Sequence, residues 1–181
     1  VEARRLYGSA AAQGNADAQY SLSGMLLEGL GGPKDEVEAR RLLGLAAAEG
    51  NAKAQCNLAG MLRQGLGGTK DEVEARRLFG LAAAQGNANA QAFLGLMFEN
   101  GDGGAKDEVE ARRLYGSAAA QGDVEAQYCL ARMLSVGRGG PKDIVEARRL
   151  LGLAAVELPE SQATLGLMLM EGHGGPKDEA E

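Results

Sequence analysis

The chain has 181 residues, of which 45% are apolar and 24% are charged, and its formal net charge is −6 at pH 7. Such a composition is ordinary for a globular or repetitive protein in water. The negative charge argues against a general nucleic-acid binder, because those proteins neutralise many phosphates with basic side chains. No apolar run approaches the roughly 18 residues that a membrane-spanning helix needs. We therefore expect no nucleic-acid partner and no membrane partner.

A hexamer, VEARRL, recurs along the whole chain. It begins at Val1, Val37, Val73, Val109 and Val145, so the period is 36 residues. We divide the chain into five repeats, residues 1–36, 37–72, 73–108, 109–144 and 145–181. The fifth repeat is one residue short within residues 157–162, which predicts a turn at that place. Because neither end carries a polar capping repeat, we expect this single domain to be an excerpt of a longer array.

Each 36-residue unit predicts two helices. At the start of the first helix, Asp35 is placed to cap the free amides, and Glu38 is placed to reach back to them from the third helical position. Apolar residues then recur at helical spacing until Gly50, which can take a left-handed conformation. The second helix starts near Asn51 and ends at Gly65. Short turns between the two helices predict that they are antiparallel neighbours.

The loop that precedes each first helix has some ingredients of a phosphate-binding loop. Residues 29–41 read GLGGPKDEVEARR, with glycines and a lysine ahead of a helix start. A P-loop, however, requires G-x-x-x-x-G-K-[ST] after a strand, and here Lys34 is followed by Asp35, whose charge would repel a phosphate. Since the loop recurs in every repeat and each residue has a structural task, we predict a connecting turn and no nucleotide site.

The repeated unit resembles the Sel-one-like repeat, or SLR, a relative of the tetratricopeptide repeat. In the second repeat, with equivalents in the other copies, the resemblance rests on Ala39, Leu42, Leu43, Ala46, Ala47, Gly50, Ala54, Gln55, Leu58, Met61, Gly65, Gly67, Lys70 and Asp71. The resemblance implies an all-α fold, an α-solenoid in which antiparallel helix pairs form a right-handed superhelix. The first helix of each repeat would line its concave side, and the second would cover its convex side.

The same resemblance implies a function, since most proteins of this family are scaffolds or adaptors that hold other proteins. A cysteine-rich bacterial branch is linked to penicillin binding and hydrolysis, and it pairs cysteines within each repeat. Cys56 and Cys129 are two repeats apart, roughly 20 Å if repeats stack about 10 Å apart, so we expect no disulfide. Unpaired cysteines favour a reducing compartment.

The candidate binding groove lies on the side of each first helix away from the core. With Leu42 and Ala46 in the core stripe, a helical wheel places Arg41, Gly44 and Leu45 on the opposite side. The candidate partner-binding residues are Arg41, Gly44, Leu45, Arg77, Gly80, Leu81, Arg113, Gly116, Ser117, Arg149 and Leu153. An extended peptide or a helix with apolar anchors and acidic flanks would complement such a groove.

Three features of this groove leave alternatives open. A glycine inside a helix costs roughly 0.5–1 kcal/mol relative to alanine, so glycine at the position of Gly44 implies close approach of a partner or tighter curvature between repeats. In the family this position usually holds a larger polar residue. The groove leucines either face the partner or pack on the next repeat, and we favour packing. The paired arginines Arg40 and Arg41 have Glu36 and Glu38 in reach, so we favour internal salt bridges over ligand binding.

No set of residues suggests catalysis. His173 is the only histidine and lies in a loop position that changes from repeat to repeat, so it cannot assemble a metal centre or a triad. We therefore predict no enzymatic activity, no cofactor and no metal, and a scaffold that binds a protein or peptide partner in the groove. The alternatives are a structural spacer or head-to-tail assembling array without a specific ligand, and a penicillin-binding or β-lactamase-like relative. Head-to-tail self-association is suggested because the chain begins inside a first helix and ends at residues 178–181, where another first helix is predicted to begin.

Overall fold

The computed structural model describes residues 1–177, and these residues form ten α-helices and no strand. The helices are α1 (Glu2–Ala12), α2 (Ala16–Glu28), α3 (Glu36–Ala48), α4 (Ala52–Gln64), α5 (Glu72–Ala84), α6 (Ala88–Asn100), α7 (Glu108–Ala119), α8 (Val124–Val136), α9 (Ile144–Ala154) and α10 (Pro159–Glu171). The predicted all-α class with two helices per repeat is confirmed. The further first helix predicted at residues 178–181 lies outside the described residues. None of the ten helices has the length and apolar character of a membrane span.

The chain divides into two compact units. Unit 1 comprises Val1–Ala90 with Asp102–Gly104, and unit 2 comprises Gln91–Gly101 with Ala105–Glu181. In unit 1, α2 packs against α1 and α3, and α4 packs against α3 and α5. In unit 2, α8 packs against α7 and α9, and α10 packs against α9. Within each unit, therefore, a second helix is held between the first helix of its own repeat and that of the next.

Both units have cores of small side chains that let the helices approach closely. In unit 1, Ala39, Leu43, Ala46 and Ala54 are fully inaccessible to solvent. In unit 2 the corresponding layer contains the fully buried alanines Ala111, Ala118 and Ala126 around the larger Tyr115 and Met133. Burying these apolar side chains is the main source of stability for helices of about thirteen residues, which are marginal in isolation.

The helix starts follow the sequence prediction in part. The Asp35 carboxylate accepts a hydrogen bond from the Glu38 amide at 2.9 Å, and the equivalent aspartates of α5, α7 and α9 cap in the same way. The prediction that Glu38 reaches back to the cap is wrong. The Asp35 amide donates instead to the Leu26 carbonyl at 3.0 Å, and the Glu38 carboxylate binds Arg41. The amide was therefore already satisfied by the preceding helix.

The loops between repeats lie against the start of the first helix one repeat earlier. Arg40 donates to the carbonyls of Leu66 and Thr69 at 3.2 and 3.0 Å, and these bonds hold the loop between α4 and α5 against α3. The predicted pairing of Arg40 with Glu36 is therefore wrong, because this guanidinium is committed to a loop 26 to 29 residues away. The equivalent arginines that donate to loop carbonyls are Arg4, Arg76, Arg112 and Arg148. The shortened turn of the fifth repeat falls between α9 and α10, as predicted.

Candidate partner-binding face

The candidate residues predicted from the sequence lie on the exposed sides of α3, α5, α7 and α9. We call the exposed sides of the first helices, α1, α3 and α5 in unit 1 and α7 and α9 in unit 2, the first-helix face. Its leucines are open to solvent: Leu45 and Leu81 are 42% exposed and Leu153 is 48% exposed. The prediction that they pack on the next repeat is wrong. Leu42 and Leu43 already fill the core side of α3, so Leu45 lies on the opposite side of the helix.

The helix glycines of this face also point into open space. A Cβ atom built on any of these five glycines would meet no heavy atom within 4 Å beyond the adjoining backbone of its own helix. The glycines are Gly8, Gly44, Gly80, Gly116 and Gly152. The residues that the structure describes therefore give no packing reason for glycine at these positions.

The arginines that rim the face are internally neutralised. The Arg41 guanidinium donates through Nε and Nη2 to both oxygens of Glu38, at 2.7 Å each. Arg77 with Glu74, Arg113 with Glu110 and Arg149 with Glu146 repeat this bidentate pair. Each hydrogen-bonded arginine holds the pKa of its glutamate below the usual value. The predicted internal salt bridges are thus confirmed for this arginine of each pair, and the rim is locally neutral.

In each unit, a cavity lined by described residues opens on the first-helix face. The cavity of unit 1 has a volume of about 650 Å³ and lies between α1 and α3, with Gly8, Gln19, Arg41, Leu45 and Glu49 in its lining. The cavity of unit 2 has a volume of about 380 Å³ and lies between α7 and α9. Its lining includes the equivalent residues Gly116, Gln127, Arg149 and Leu153. The structure thus brings an arginine and a leucine of the predicted site together with a helix glycine.

Sequence reasoning missed a series of glutamines at the floor of this face. The Gln55 Oε1 accepts a hydrogen bond from Gln85 Nε2 at 2.9 Å, and within unit 2 Gln91 accepts from Gln121 at 2.8 Å. In the cavity of unit 1 the equivalent hydrogen bond to Gln19 is missing, because Glu49 occupies the position that corresponds to Gln85.

This replacement affects the buried side-chain amide of Gln19, which lines that cavity. Gln19 is 4% exposed, and its Oε1 has no hydrogen-bond partner among residues 1–177. Its Nε2 donates to the Ala11 carbonyl at 3.3 Å, so the amide is held in one orientation. The repeat has glutamate at residue 49, where the next repeat has glutamine at residue 85. This difference is the signal in the sequence that points to the unpaired Gln19 oxygen.

The remaining candidate reactive groups are unremarkable or dispersed. Cys56 is buried and Cys129 is half-buried, and both are free thiols. Burial raises the pKa of Cys56 to about 11, so it is almost entirely protonated near neutral pH. His173 Nδ1 lies 3.1 Å from the Glu171 carboxylate. Within residues 1–177 no group of three or more acidic, histidine or cysteine side chains is arranged to hold a metal ion.

The sequence matches the model of one protein family along nearly its whole length. The Sel1 repeat model matches residues 1–15, 16–51, 52–87, 88–123, 124–155 and 159–181. The chain belongs to the Sel1 repeat family. After the partial segment 1–15, each Sel1 segment begins at a second helix, whereas the division by VEARRL begins at the first helices. A tandem array has no privileged starting point, so six Sel1 segments and five VEARRL units describe the same helices.

Solved Sel1 and SLR structures are similar to this chain. A protective antigen of uropathogenic Escherichia coli strains displaying an SLR fold is 32% identical, with a TM-score of 0.90 over 97% of this chain, which spans 38% of that antigen. A Sel1 repeat protein from Oxalobacter formigenes is 31% identical, with a TM-score of 0.87 over 98% of this chain and 71% of that protein. Helicobacter pylori cysteine rich protein B is 22% identical with a TM-score of 0.56 over 70% of this chain and 96% of that protein, which shows the fold alone. No curated protein sequence matches the chain. Membership in the Sel1 repeat family suggests a protein-interaction scaffold without naming a partner.

Proposed function

We propose that the chain is an interaction scaffold whose first-helix face binds an extended segment of a protein partner. One observation supports this proposal: in every repeat, a side chain at the helix glycine of this face would contact no neighbouring residue. Each such glycine costs about 0.5–1 kcal/mol relative to alanine, and no packing contact offsets it. A partner backbone lying directly against the helices would use the missing side chains.

The chemistry of the face indicates which kind of segment it would hold. Leu45, Leu81 and Leu153 supply exposed apolar contacts beside the glycines. The arginines are already paired with glutamates, so acidic flanks on the partner would gain little from them. We therefore expect affinity to come from apolar side chains and from close backbone contact. Binding of this kind should depend only weakly on salt.

The sharpest test replaces the glycines with the larger polar residue that a helix tolerates. The double substitution Gly44→Gln and Gly80→Gln should raise helix stability, because glutamine has the higher helix propensity. The same double variant should lose partner capture in affinity purification from the native lysate, because two side chains then cover the face. A matched control is Val136→Gln, which changes a residue that is 65% exposed at the end of the second helix α8 and should leave capture unchanged. Capture of the same proteins by the double variant and the parent would contradict the proposal.

Two charge substitutions test the same face independently. Leu81→Glu removes an exposed apolar contact, and Arg77→Glu places two like charges where Arg77 and Glu74 now pair. Both variants should abolish capture while the circular dichroism spectrum stays that of a helical protein. If both bind normally, the partner uses another surface.

The alternative roles predict different outcomes. A spacer or head-to-tail array would show no saturable partner, and it would show self-association that grows with concentration in sedimentation velocity. A penicillin-binding or β-lactamase-like relative would turn over a chromogenic lactam, and we expect none. The thiol of Cys56 is buried and protonated, which makes it a poor nucleophile.

A further inference from the structure

A charged cluster between the third and fourth repeats, inside unit 2, is neutral as a whole. Arg138 binds the carboxylates of Glu99 at 2.9 Å and Glu108 at 3.1 Å. Lys106 also pairs with Glu108 at 2.9 Å, and the Tyr115 hydroxyl donates to Glu99 at 2.9 Å. Two carboxylates thus balance two cations, and the ring of Tyr115 fills the space beside them.

The same positions one repeat later hold a different set of side chains. Ser135 replaces Glu99, Ile144 replaces Glu108, Leu151 replaces Tyr115, His173 replaces Arg138, Lys142 keeps the place of Lys106, and Arg132 replaces Leu96. Both carboxylates are therefore gone, one lysine is retained and one arginine is added. The formal charge of these positions changes from neutral to plus two with the histidine uncharged.

These replacements leave a cavity where the third and fourth repeats have a filled ion cluster. The cavity has a volume of about 280 Å³ and is lined by Arg132, Lys142, Ile144, Leu151 and His173, among others. Leu151 is shorter than the tyrosine it replaces and is buried, and Met168 and Ala131 complete an apolar floor. The cavity therefore combines a cationic rim with an apolar base.

The two cations of the rim have no carboxylate partner among residues 1–177. In the second and third repeats the equivalent lysines pair with the glutamate two residues later, and Lys142 has Ile144 there instead. The Arg132 guanidinium lies 5.7 Å from the centre of the Tyr128 ring and forms no ion pair in that part of the chain. Within the described part of the chain, no carboxylate therefore competes with an external anion for these two side chains.

The other polar groups near the cavity are already engaged. The hydroxyls of Ser135 and Thr164 donate to backbone carbonyls of their own helices at 2.9 and 2.8 Å. The Asp143 carboxylate caps α9, and Glu171 lies beside His173. The donors left for a ligand are therefore Arg132 and Lys142, with the histidine ring at the edge.

We propose that this cavity binds a small dicarboxylate with a short apolar stem, whose two carboxylates take the place that Glu99 and Glu108 occupy one repeat earlier. Arg132 and Lys142 hold the carboxylates, and the floor formed by Leu151 and Met168 holds the apolar stem. The site is separate from the proposed scaffold function, because none of its lining residues belongs to the first-helix face. Loss of one site would leave the other intact.

Glutarate is a suitable probe because it carries carboxylates on a short apolar stem. Titration of the isotope-labelled chain, followed by NMR, should give saturable shifts at Lys142, Arg132 and His173. Arg132→Leu and Lys142→Met should each weaken binding at least tenfold, since a hydrogen-bonded charge is lost in each. The matched control Lys106→Met removes the equivalent lysine of the balanced cluster and should leave the affinity unchanged.

A reciprocal substitution tests the origin of the site. Ile144→Glu restores the glutamate found at this position in the earlier repeats, so it should pair with Lys142 and abolish glutarate binding without loss of helix content. Glutarate binding that is absent, or equal in the parent and in the Arg132→Leu/Lys142→Met double variant, would overturn the proposal. Saturable binding of inorganic phosphate but not of glutarate would overturn the assignment to carboxylates. Sodium chloride at matched ionic strength separates site binding from screening.

Discussion

The glycines in the loops and the glycines in the first helices recur with equal regularity, yet the structure treats them differently. Gly67 has φ +65°, and a Cβ atom there would collide with the Glu36 carbonyl of α3. Gly139 has φ +66° and would collide in the same way with Glu108. A Cβ atom at Gly44 or Gly116 would instead meet nothing. Regular recurrence therefore marks a structural requirement in the loops but not in the helices.

This difference indicates which of the recurring glycines are needed for folding and which are left to serve binding. The loop glycines let each loop lie against the start of an earlier first helix, so their lack of a side chain is needed for folding. The helix glycines leave part of the first-helix face without side chains, although folding does not require side chains to be absent there. Substitutions of glycine in the two regions should therefore have opposite effects on stability.

The largest effect is expected in the loop. Gly139→Ala places a Cβ atom on the Glu108 carbonyl oxygen and forces alanine into a left-handed conformation. We expect the free energy of unfolding to fall by about 2–4 kcal/mol, measured as a lower midpoint in urea. The matched change Gly67→Ala should behave alike. A loss below about 0.5 kcal/mol would show that the loop can move away from α7 without consequence.

Next in size is the difference between two neighbouring arginines of α7. Arg112 donates to the Pro141 carbonyl of the loop at 2.9 Å, whereas the exposed Arg113 pairs with Glu110 of its own helix. Arg112→Met should lower the free energy of unfolding by about 1–2 kcal/mol. Arg113→Met should lower it by only about 0.3–0.5 kcal/mol. Equal losses in urea denaturation would contradict the separation into a loop-binding and a face-rimming arginine.

The arginines also show how far the sequence predicts the fold. The period, the helix pairs and the caps at residues such as Asp35 are local and could be predicted from spacing alone. Glu38 and Arg41 are three residues apart on one helix, so their pairing was predicted as well. The partners of Arg40 were not, because its acceptors belong to a loop 26 to 29 residues away. Two adjacent arginines look alike in sequence, and only the packing of the next repeat distinguishes them.

The candidate site was predictable in outline only. A helical wheel places Leu45 and Gly44 opposite the core, and in the structure Leu45 is exposed and Gly44 is half-buried. The wheel does not reveal whether a neighbouring helix covers them, which is why Leu45 was expected to be packed. The bond between Gln55 and Gln85 joins residues 30 positions apart, so the exchange at Glu49 acquires its meaning only when the repeats are packed together.

A smaller and stabilising effect is expected from repairing the glutamine series. Glu49→Gln supplies an amide donor to the buried Gln19 Oε1, as Gln85 does for Gln55 at 2.9 Å. We expect the free energy of unfolding to rise by about 1 kcal/mol, because a buried acceptor is no longer unsatisfied. Gln85→Glu should lower it by a similar amount. The control Glu28→Gln removes a negative charge from another exposed position and should change stability by less than about 0.5 kcal/mol.

The smallest effect completes the comparison of the two glycine classes. Gly116→Ala adds a methyl group that contacts nothing within 4 Å and reduces the freedom of the unfolded chain. We expect a gain of about 0.5–1 kcal/mol in the free energy of unfolding, opposite in sign to the loss from Gly139→Ala in the same unit. Urea denaturation of the two single variants and their combination measures both signs, and the effects should add because their sites share no partner. A loss for Gly116→Ala would mean that the helix needs its glycine for folding, and the bare surface would then no longer indicate a partner.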